Sequence, residues 1–299
     1  SILSSLEIKI NNVTESGIGM TIPAYRNDVT REVDVIEEIL RVYGYNNIQF
    51  TEKLNASISG SSRFEDYKIQ NVAGNLLSSS GFYEIMGNSL TTPAYAELSE
   101  SLNPAHNVEI LNPLSNDLSV MRQSLLFSGL EAVAFNINRR QTDLKFFEFG
   151  KSYHSYTSDR EEKNHLTLLV TGNRNAESWT NPGKPASFFY LKGVVESLLN
   201  RVGITNFQSK PIKDQNFAEG IQLTLGKNQL VQFGTVTKKL LKHFDIEQEV
   251  LYADFNWDTL VKLAQHNDIS FKPIAKYPAV RRDFALLIDE NVEFETVYN

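Results

Sequence analysis

YRNDVTREVDVIEEILRVYGYNNI, residues 25 to 48, reads first as a helix. No Gly or Pro interrupts Asp34 to Tyr43, and Gly44 follows as a C-cap. At about 100° per residue, Ile36, Ile39, Leu40 and Tyr43 share one side and are expected inside. Asp34, Glu37, Glu38 and Arg41 share the other side, and Asp28 stands just upstream of the helix. Two readings of that acidic face follow. One is a solvated surface in which Glu37 pairs with Arg41 and Asp34 sits at the positive end of the helix dipole. The other is a hard-cation site, since magnesium prefers oxygen ligands and keeps several waters. Spacing leaves both open.

Outward from this helix, Ile2 to Leu6 reads as a helix end. Glu7 to Ile10 and Ile18 to Ile22 read as strands around NNVTESG, completing a small α+β module at residues 1–54. Its helix-and-hairpin outline suits a winged-helix nucleic-acid binder, but the acidic helix face would repel phosphates. NASISGSS, residues 55–62, reads as a linker.

The whole chain has 299 residues and is 41% hydrophobic, enough for one large core or two smaller ones. It contains no Cys, which excludes disulfides, zinc thiolates and thiol nucleophiles. No apolar run approaches the roughly eighteen residues of a membrane span, and SILSSLEIKI lacks a secretory signal, so a cytoplasmic protein is expected. A net charge of −7 argues against non-specific nucleic-acid binding by the body as a whole.

Beyond the linker, Phe64 to Ser78 reads as a helix with Tyr67, Ile69, Val72, Leu76 and Leu77 on its apolar face. A strand over Phe82–Leu90 and a short helix over Ala94–Ser101 follow. Val108–Leu111 reads as a strand, and Met121-Arg122-Gln123-Ser124-Leu125-Leu126 reads as the opening of a helix running to Asn138. Arg122 is expected to anchor that helix start. Lys145–Phe149 reads as a strand turned by Gly150, and His165–Val170 as an apolar one. In the loop TGNRNAESWTNPGKPA, Trp179 is expected to pack over the loop, and Gly183-Lys184 lacks the spacing of a phosphate loop. Helices are expected over Phe188–Leu199, Lys238–Phe244 and Asp258–Ala264. Strands are expected over Leu223–Leu225, Leu230–Val236 and Val250–Phe255. His243 and His266 have no metal-spaced partner and are expected at the surface. The basic run KPIAKYPAVRR leads into a strand over Asp283–Asp289, and it suits a phosphate backbone or an interdomain ion-pair region equally.

Three segments together resemble one family. R-x-D, the downstream Asp, I-E-E-I and R-V-Y-G-Y-N-N-I are similar to the B5 domain of the bacterial phenylalanyl-tRNA synthetase beta chain. N-P-L-S at Asn112–Ser115, M-R-x-S-L-L, N-x-N-R-R and F-E-x-G are similar to its catalytic-like core, and Y-P-A-V-R-R-D to the entry of its anticodon-binding domain. The resemblance implies an α+β fold: a winged-helix-like B5 module, then a class II synthetase-like antiparallel sheet flanked by helices. Its domains would be a partial B5 domain at 1–54, a non-catalytic core at 55–268, and the start of a ferredoxin-like domain at 269–299.

The function implied is a non-catalytic part of the beta subunit of phenylalanine–tRNA ligase. That enzyme is a heterotetramer of two alpha and two beta chains that charges tRNA-Phe using ATP and Mg²⁺, with the adenylate site on alpha. The implied magnesium residues are Asp28, Asp34, Glu37 and Glu38; Lys272, Lys276, Arg281 and Arg282 become candidate tRNA contacts. No catalytic residue is expected. The arginine–glutamate pair with which class II enzymes grip a nucleotide is not found on the corresponding strand, Lys151–His154, which a polar loop follows, and no Ser-His-Asp signature, H-E-x-x-H, Walker loop or G-x-G-x-x-G is recognised. A fragment of this kind would lack editing and strong tRNA binding.

Overall fold

A computed structural model describes residues 1–50, 53, 56–57, 66–180, 182–212, 214–265, 271, 273–292 and 296–297. The expected linker at 55–62 lies outside these residues except for Ala56 and Ser57, as do Phe64, His266 and Lys272. The chain divides into two compact units, Ser1–Gly60 and Ser61–Asn299.

In the first unit, α1 (Ile2–Ser5) precedes an antiparallel hairpin of β1 (Lys9–Thr14) and β2 (Gly17–Thr21), and α2 spans Glu32–Tyr43. The strands run on through Asn12-Val13-Thr14, so the turn is tighter than the sequence suggests. Gly44 closes α2 at φ +96°, a backbone region that favours glycine. The buried face of α2 is not the expected one. Val35 is buried and Ile39 packs beside it against Ile8 and Val29, whereas Ile36 and Tyr43 are about half exposed. The start of the helix sets this phase. Asp34 must turn its carboxylate back to the N–H groups of Thr30 and Arg31, at 3.0 and 2.8 Å, which places Val35 inward.

The second unit is built on a seven-stranded sheet. Its elements are α3 (Asp66–Ser79), β3 (Tyr83–Glu84), β4 (Leu90–Thr91), α4 (Tyr95–Leu98), β5 (Val108–Glu109), β6 (Val120–Met121), α5 (Leu126–Ile137), β7 (Leu144–Ser155), β8 (Arg160–Thr171), α6 (Phe188–Arg201), β9 (Gln208–Pro211), β10 (Phe217–Leu225), β11 (Asn228–Val236), α7 (Lys238–His243), β12 (Val250–Asn256) and α8 (Trp257–Ala264). The sheet order is β3-β7-β8-β12-β11-β10-β9, antiparallel except where β3 runs parallel to β7. A small sheet, β4-β6-β5, lies apart from it in the pairing.

Period-two alternation divides the apolar residues between the two faces. Phe147, Leu166, Leu168, Val170, Leu251, Ala253, Phe255, Val231 and Phe233 meet α3, α6 and α8 on one face. Phe146, Leu169, Val250, Tyr252, Val236 and Phe217 meet α5 and α7 on the other.

Several expectations are corrected. Gly150 does not turn the chain: β7 continues through it to Ser155. Met121 and Arg122 lie at the end of a strand rather than in α5, which begins at Leu126. The single strand expected over 82–90 is two short ones, β3 and β4, separated by Gly87. On α3, Ile69, Ala73 and Leu77 are buried while Tyr67 and Val72 face out. Trp179 is 97% exposed rather than packed over the loop. Asp283 to Asp289 forms no strand, because no strand edge among the described residues takes up its backbone groups.

Candidate functional site

On the second face of the sheet the apolar layer gives way to polar residues one row further along. Glu148 stands opposite Thr167, Thr167 opposite Asp254, Asp254 opposite Gln232 and Gln232 opposite Gln222. A chain of cross-strand polar neighbours thus crosses five strands. Arg122 closes one end of it. Its Nη1 lies 2.8 Å from Glu148 Oε1 and 3.3 Å from Ser128 Oγ, and its Nε donates to the Lys151 carbonyl at 3.0 Å. The Gly87 N–H donates to the same Glu148 oxygen at 3.1 Å. Both side chains are almost wholly buried, 4% and 2% exposed.

Gly150 is required here for room, since a Cβ would run into the Arg122 guanidinium. An arginine–glutamate pair therefore does exist on this face, though not the nucleotide-gripping kind sought in the sequence. It is turned inward, and its Nε and Nη1 donors are spent on protein acceptors. A guanidinium so placed cannot reach out to a phosphate.

A second arrangement escaped the sequence altogether. Ser152 Oγ lies 2.8 Å from His165 Nε2, and His165 Nδ1 lies 2.7 Å from Asp254 Oδ1. Serine, histidine and aspartate thus line up across β7, β8 and β12 in the order of a hydrolytic triad. Ser152 is fully buried, so no substrate can reach its hydroxyl, and the line serves to tie three strands. Burial by itself lowers the His165 pKa; the adjacent Asp254 carboxylate, with Asp258 behind it, outweighs that and leaves it raised. Separations of 13 and 89 residues in the chain explain why no local motif betrayed the trio.

In the first unit, three of the four acidic residues of the α2 region, Asp28, Asp34 and Glu38, are held by arginines more than they are open to a cation. Arg26 spans Asp28 and Glu38 at 2.8 and 3.0 Å, Arg31 pairs with Asp34 at 3.0 Å, and Arg41 pairs with Glu38 at 2.6 Å rather than with Glu37. Hydrogen bonds from Arg31 and from the N–H groups of Thr30 and Arg31 pull the Asp34 carboxyl down to about 2. Arg26 lowers Asp28, and Arg26 with Arg41 lowers Glu38. Glu37 has no hydrogen bond or ion pair among the described residues. Nor do three or more His, Asp or Glu side chains converge there as metal ligands. The Arg26 guanidinium takes the place a cation shared by Asp28 and Glu38 would take, so the residues as arranged do not fit a resident magnesium ion with direct carboxylate ligands.

Of the basic residues near the end of the chain, Lys276, Arg281 and Arg282 are exposed in a stretch without regular structure, and Arg281 pairs with Asp283 at 3.3 Å. His243 is at the surface, edge-on to Phe244.

Comparison with known proteins gives a consistent picture. Residues 35–257 match the family model described as the phenylalanyl tRNA synthetase beta chain CLM domain, and residues 1–45 match the tRNA synthetase B5 domain. The chain is 46% identical over 311 aligned residues to the phenylalanine–tRNA ligase beta subunit of Bacteroides thetaiotaomicron, covering 99% of this chain and 38% of that one. It is 38% identical to the beta subunit of Porphyromonas gingivalis, again over 99% of this chain and 38% of the relative. The chain thus spans well under half the length of these relatives. Among solved structures, the pyrrolysyl-tRNA synthetase of Desulfitobacterium hafniense superposes with a TM-score of 0.52 at 15% identity, covering 66% of this chain and 68% of the other. That likeness concerns the fold alone. Among the described residues no helix is long and apolar enough to cross a membrane.

Proposed function

Because the chain belongs to the phenylalanyl-tRNA synthetase beta-chain family, we propose that it is a non-catalytic scaffold that supports a separate catalytic alpha subunit in the ATP-dependent charging of tRNA with phenylalanine. The observation that carries this reading is the burial of Arg122 on Glu148. The sheet has the layout of a ligase, while the arginine beside it is committed to the protein interior. The partner would be the alpha chain of an alpha2beta2 assembly in the cytoplasm. The proposed division runs from a partial B5 domain at 1–54, through a core at 55–268, to the start of an anticodon-binding domain at 269–299.

The test is phenylalanine-dependent exchange of pyrophosphate into ATP. The chain alone is expected to show none, and adding an alpha chain should produce it. Exchange by this chain alone would overturn the scaffold reading.

Lys272, Lys276, Arg281 and Arg282 are the proposed tRNA contacts, supported for the last three by exposure. Removing their charges should weaken tRNA binding and flatten its salt dependence. Magnesium at Asp28, Asp34, Glu37 and Glu38 rests on family resemblance, and the ion pairs of Arg26 and Arg31 count against direct ligation in this arrangement. An ion there would have to displace Arg26 from Asp28 or Glu38. A magnesium titration of the alpha–beta assembly, followed by its thermal unfolding, decides this. If Glu37→Gln combined with Glu38→Gln leaves the titration unchanged, the acidic face is an ion-paired surface.

A further inference from the structure

A groove of the second unit lies away from the polar row, between the end of α3, the start of α6 and the loop from 173 to 186. It encloses about 560 Å³, within the range of roughly 300–1,000 Å³ usual for small-molecule sites. Leu76 and Val194 give it an apolar floor, Phe189 and Tyr190 add two rings, and Arg174 and Lys184 bring positive charge. No carboxylate lines it, although the chain as a whole carries −7. Neither cation has a carboxylate partner among the described residues. The two are held side by side by the loop itself: the Arg174 N–H donates to the Lys184 carbonyl at 2.7 Å, and Asn173 bridges to Pro185.

Tyr190 fixes Arg174 further. The Arg174 guanidinium lies 5.2 Å from its ring centroid and Lys145 Nζ lies 5.3 Å from it. With Arg174 and Lys145 on its ring, Tyr190 is engaged within the protein. Phe189, 78% exposed in the same groove, is not engaged in this way: among the described residues its one ring contact is edge-on, to Phe188. The result is a planar apolar ring beside a guanidinium fork and an ammonium. This combination serves nucleic-acid units generally, with the phosphate on the cations and the base on an aromatic face. Gly183-Lys184 carries no phosphate-loop spacing, and its role here follows from the fold rather than from a motif.

We propose that this groove binds a nucleoside monophosphate unit, with its phosphate on Arg174 and Lys184 and its base against Phe189. The unit is supplied either as a free nucleotide or as one residue of a single RNA strand. The site lies on a different part of the unit from the Arg122–Glu148 pair and does not depend on the scaffold reading.

Calorimetric titration of the whole chain with AMP, with inorganic phosphate and with a six-nucleotide RNA tests it. AMP or the oligonucleotide should bind saturably, and Arg174→Ala with Lys184→Ala should weaken that binding at least tenfold. Phe189→Ala should weaken the base-bearing ligands at least fivefold and leave inorganic phosphate unaffected. Lys227→Ala, a cation in the turn between β10 and β11, should change nothing. All the altered side chains are exposed, and unchanged melting temperatures confirm folding. Tighter binding of the oligonucleotide than of AMP assigns the RNA source, and the reverse assigns the free nucleotide. The proposal fails if neither ligand saturates, if the double variant binds as the parent does, or if phosphate matches AMP and Phe189→Ala has no effect.

Discussion

Breaking the Arg122–Glu148 pair from one side should destabilise the second unit far more than removing it whole. In Glu148→Gln the guanidinium stays buried, keeps its Lys151 carbonyl and Ser128 hydroxyl partners, and loses the carboxylate at 2.8 Å. In Arg122→Met the carboxylate stays buried with only the Gly87 N–H at 3.1 Å. At exposures of 4% and 2% neither charge can turn to water, and a broken pair of this kind costs about 3–5 kcal/mol. The double variant Arg122→Met, Glu148→Leu fills a similar volume with apolar groups and strands no charge. Its loss should fall short of the sum of the single losses by at least about 2 kcal/mol.

Urea unfolding read by tryptophan fluorescence is the assay. Trp257 is buried in the core cluster and changes environment on unfolding, while Trp179 is already in water, so the signal reports this unit. Single variants that each lose less than about 1 kcal/mol, or a double variant that is simply additive, would refute the argument that a buried charge pair ties the loop to the sheet.

Other outcomes follow from the same geometry. His165 has a folded pKa above its unfolded value of about 6.5. Its contribution is therefore fully present below that pH and lost as pH rises through the folded value. Melting temperature should fall on that limb, and Asp254→Asn should flatten the slope. Asp34, held at about 2, contributes above the unfolded carboxylate value and loses it as pH falls toward the folded one; Asp34→Asn should remove that part of the acid limb in circular dichroism of α2. Gly150→Ala places a methyl 2.6 Å from Leu125 Cδ2 and against Arg122. It should cost about 1–3 kcal/mol in the same urea assay.

Much of the helical structure was legible in the sequence, because α2, α6 and α8 carry apolar spacing and clear ends. The hairpin β7–β8 was not. Lys151–His154 reads as a strand set apart from Lys145–Phe149, the polar stretch from there to Asn164 reads as loop, and Gly150 invited a turn where it is needed for the approach of Arg122. Strand–strand pairing rather than side-chain pattern holds those residues in the sheet. Arg122 was read as structural, which it is, but at the end of β6 rather than at a helix start. Arg26 lies two residues from Asp28, and its pairing with Asp28 and Glu38 was not anticipated from the spacing of the acidic face. The Ser152–His165–Asp254 line had no such signal, since only the fold brings its members together.

The row from Glu148 to Gln222 guards against a mistake the apolar residues cannot detect. Sliding β12 along β8 by one residue turns every greasy side chain to the wrong face and is rejected at once. Sliding it by two in the direction that sets Asp254 opposite Leu169 keeps both layers greasy, yet strands that carboxylate against a hydrocarbon and parts it from His165. The two strands meet across 89 residues of chain at that contact, so the final docking of the β10–β11–β12 half onto the β7–β8 half has little local guidance. Polar side chains within the sheet, buried at Glu148 and Thr167 and half-buried at Asp254, Gln232 and Gln222, can thus help select one alignment over another.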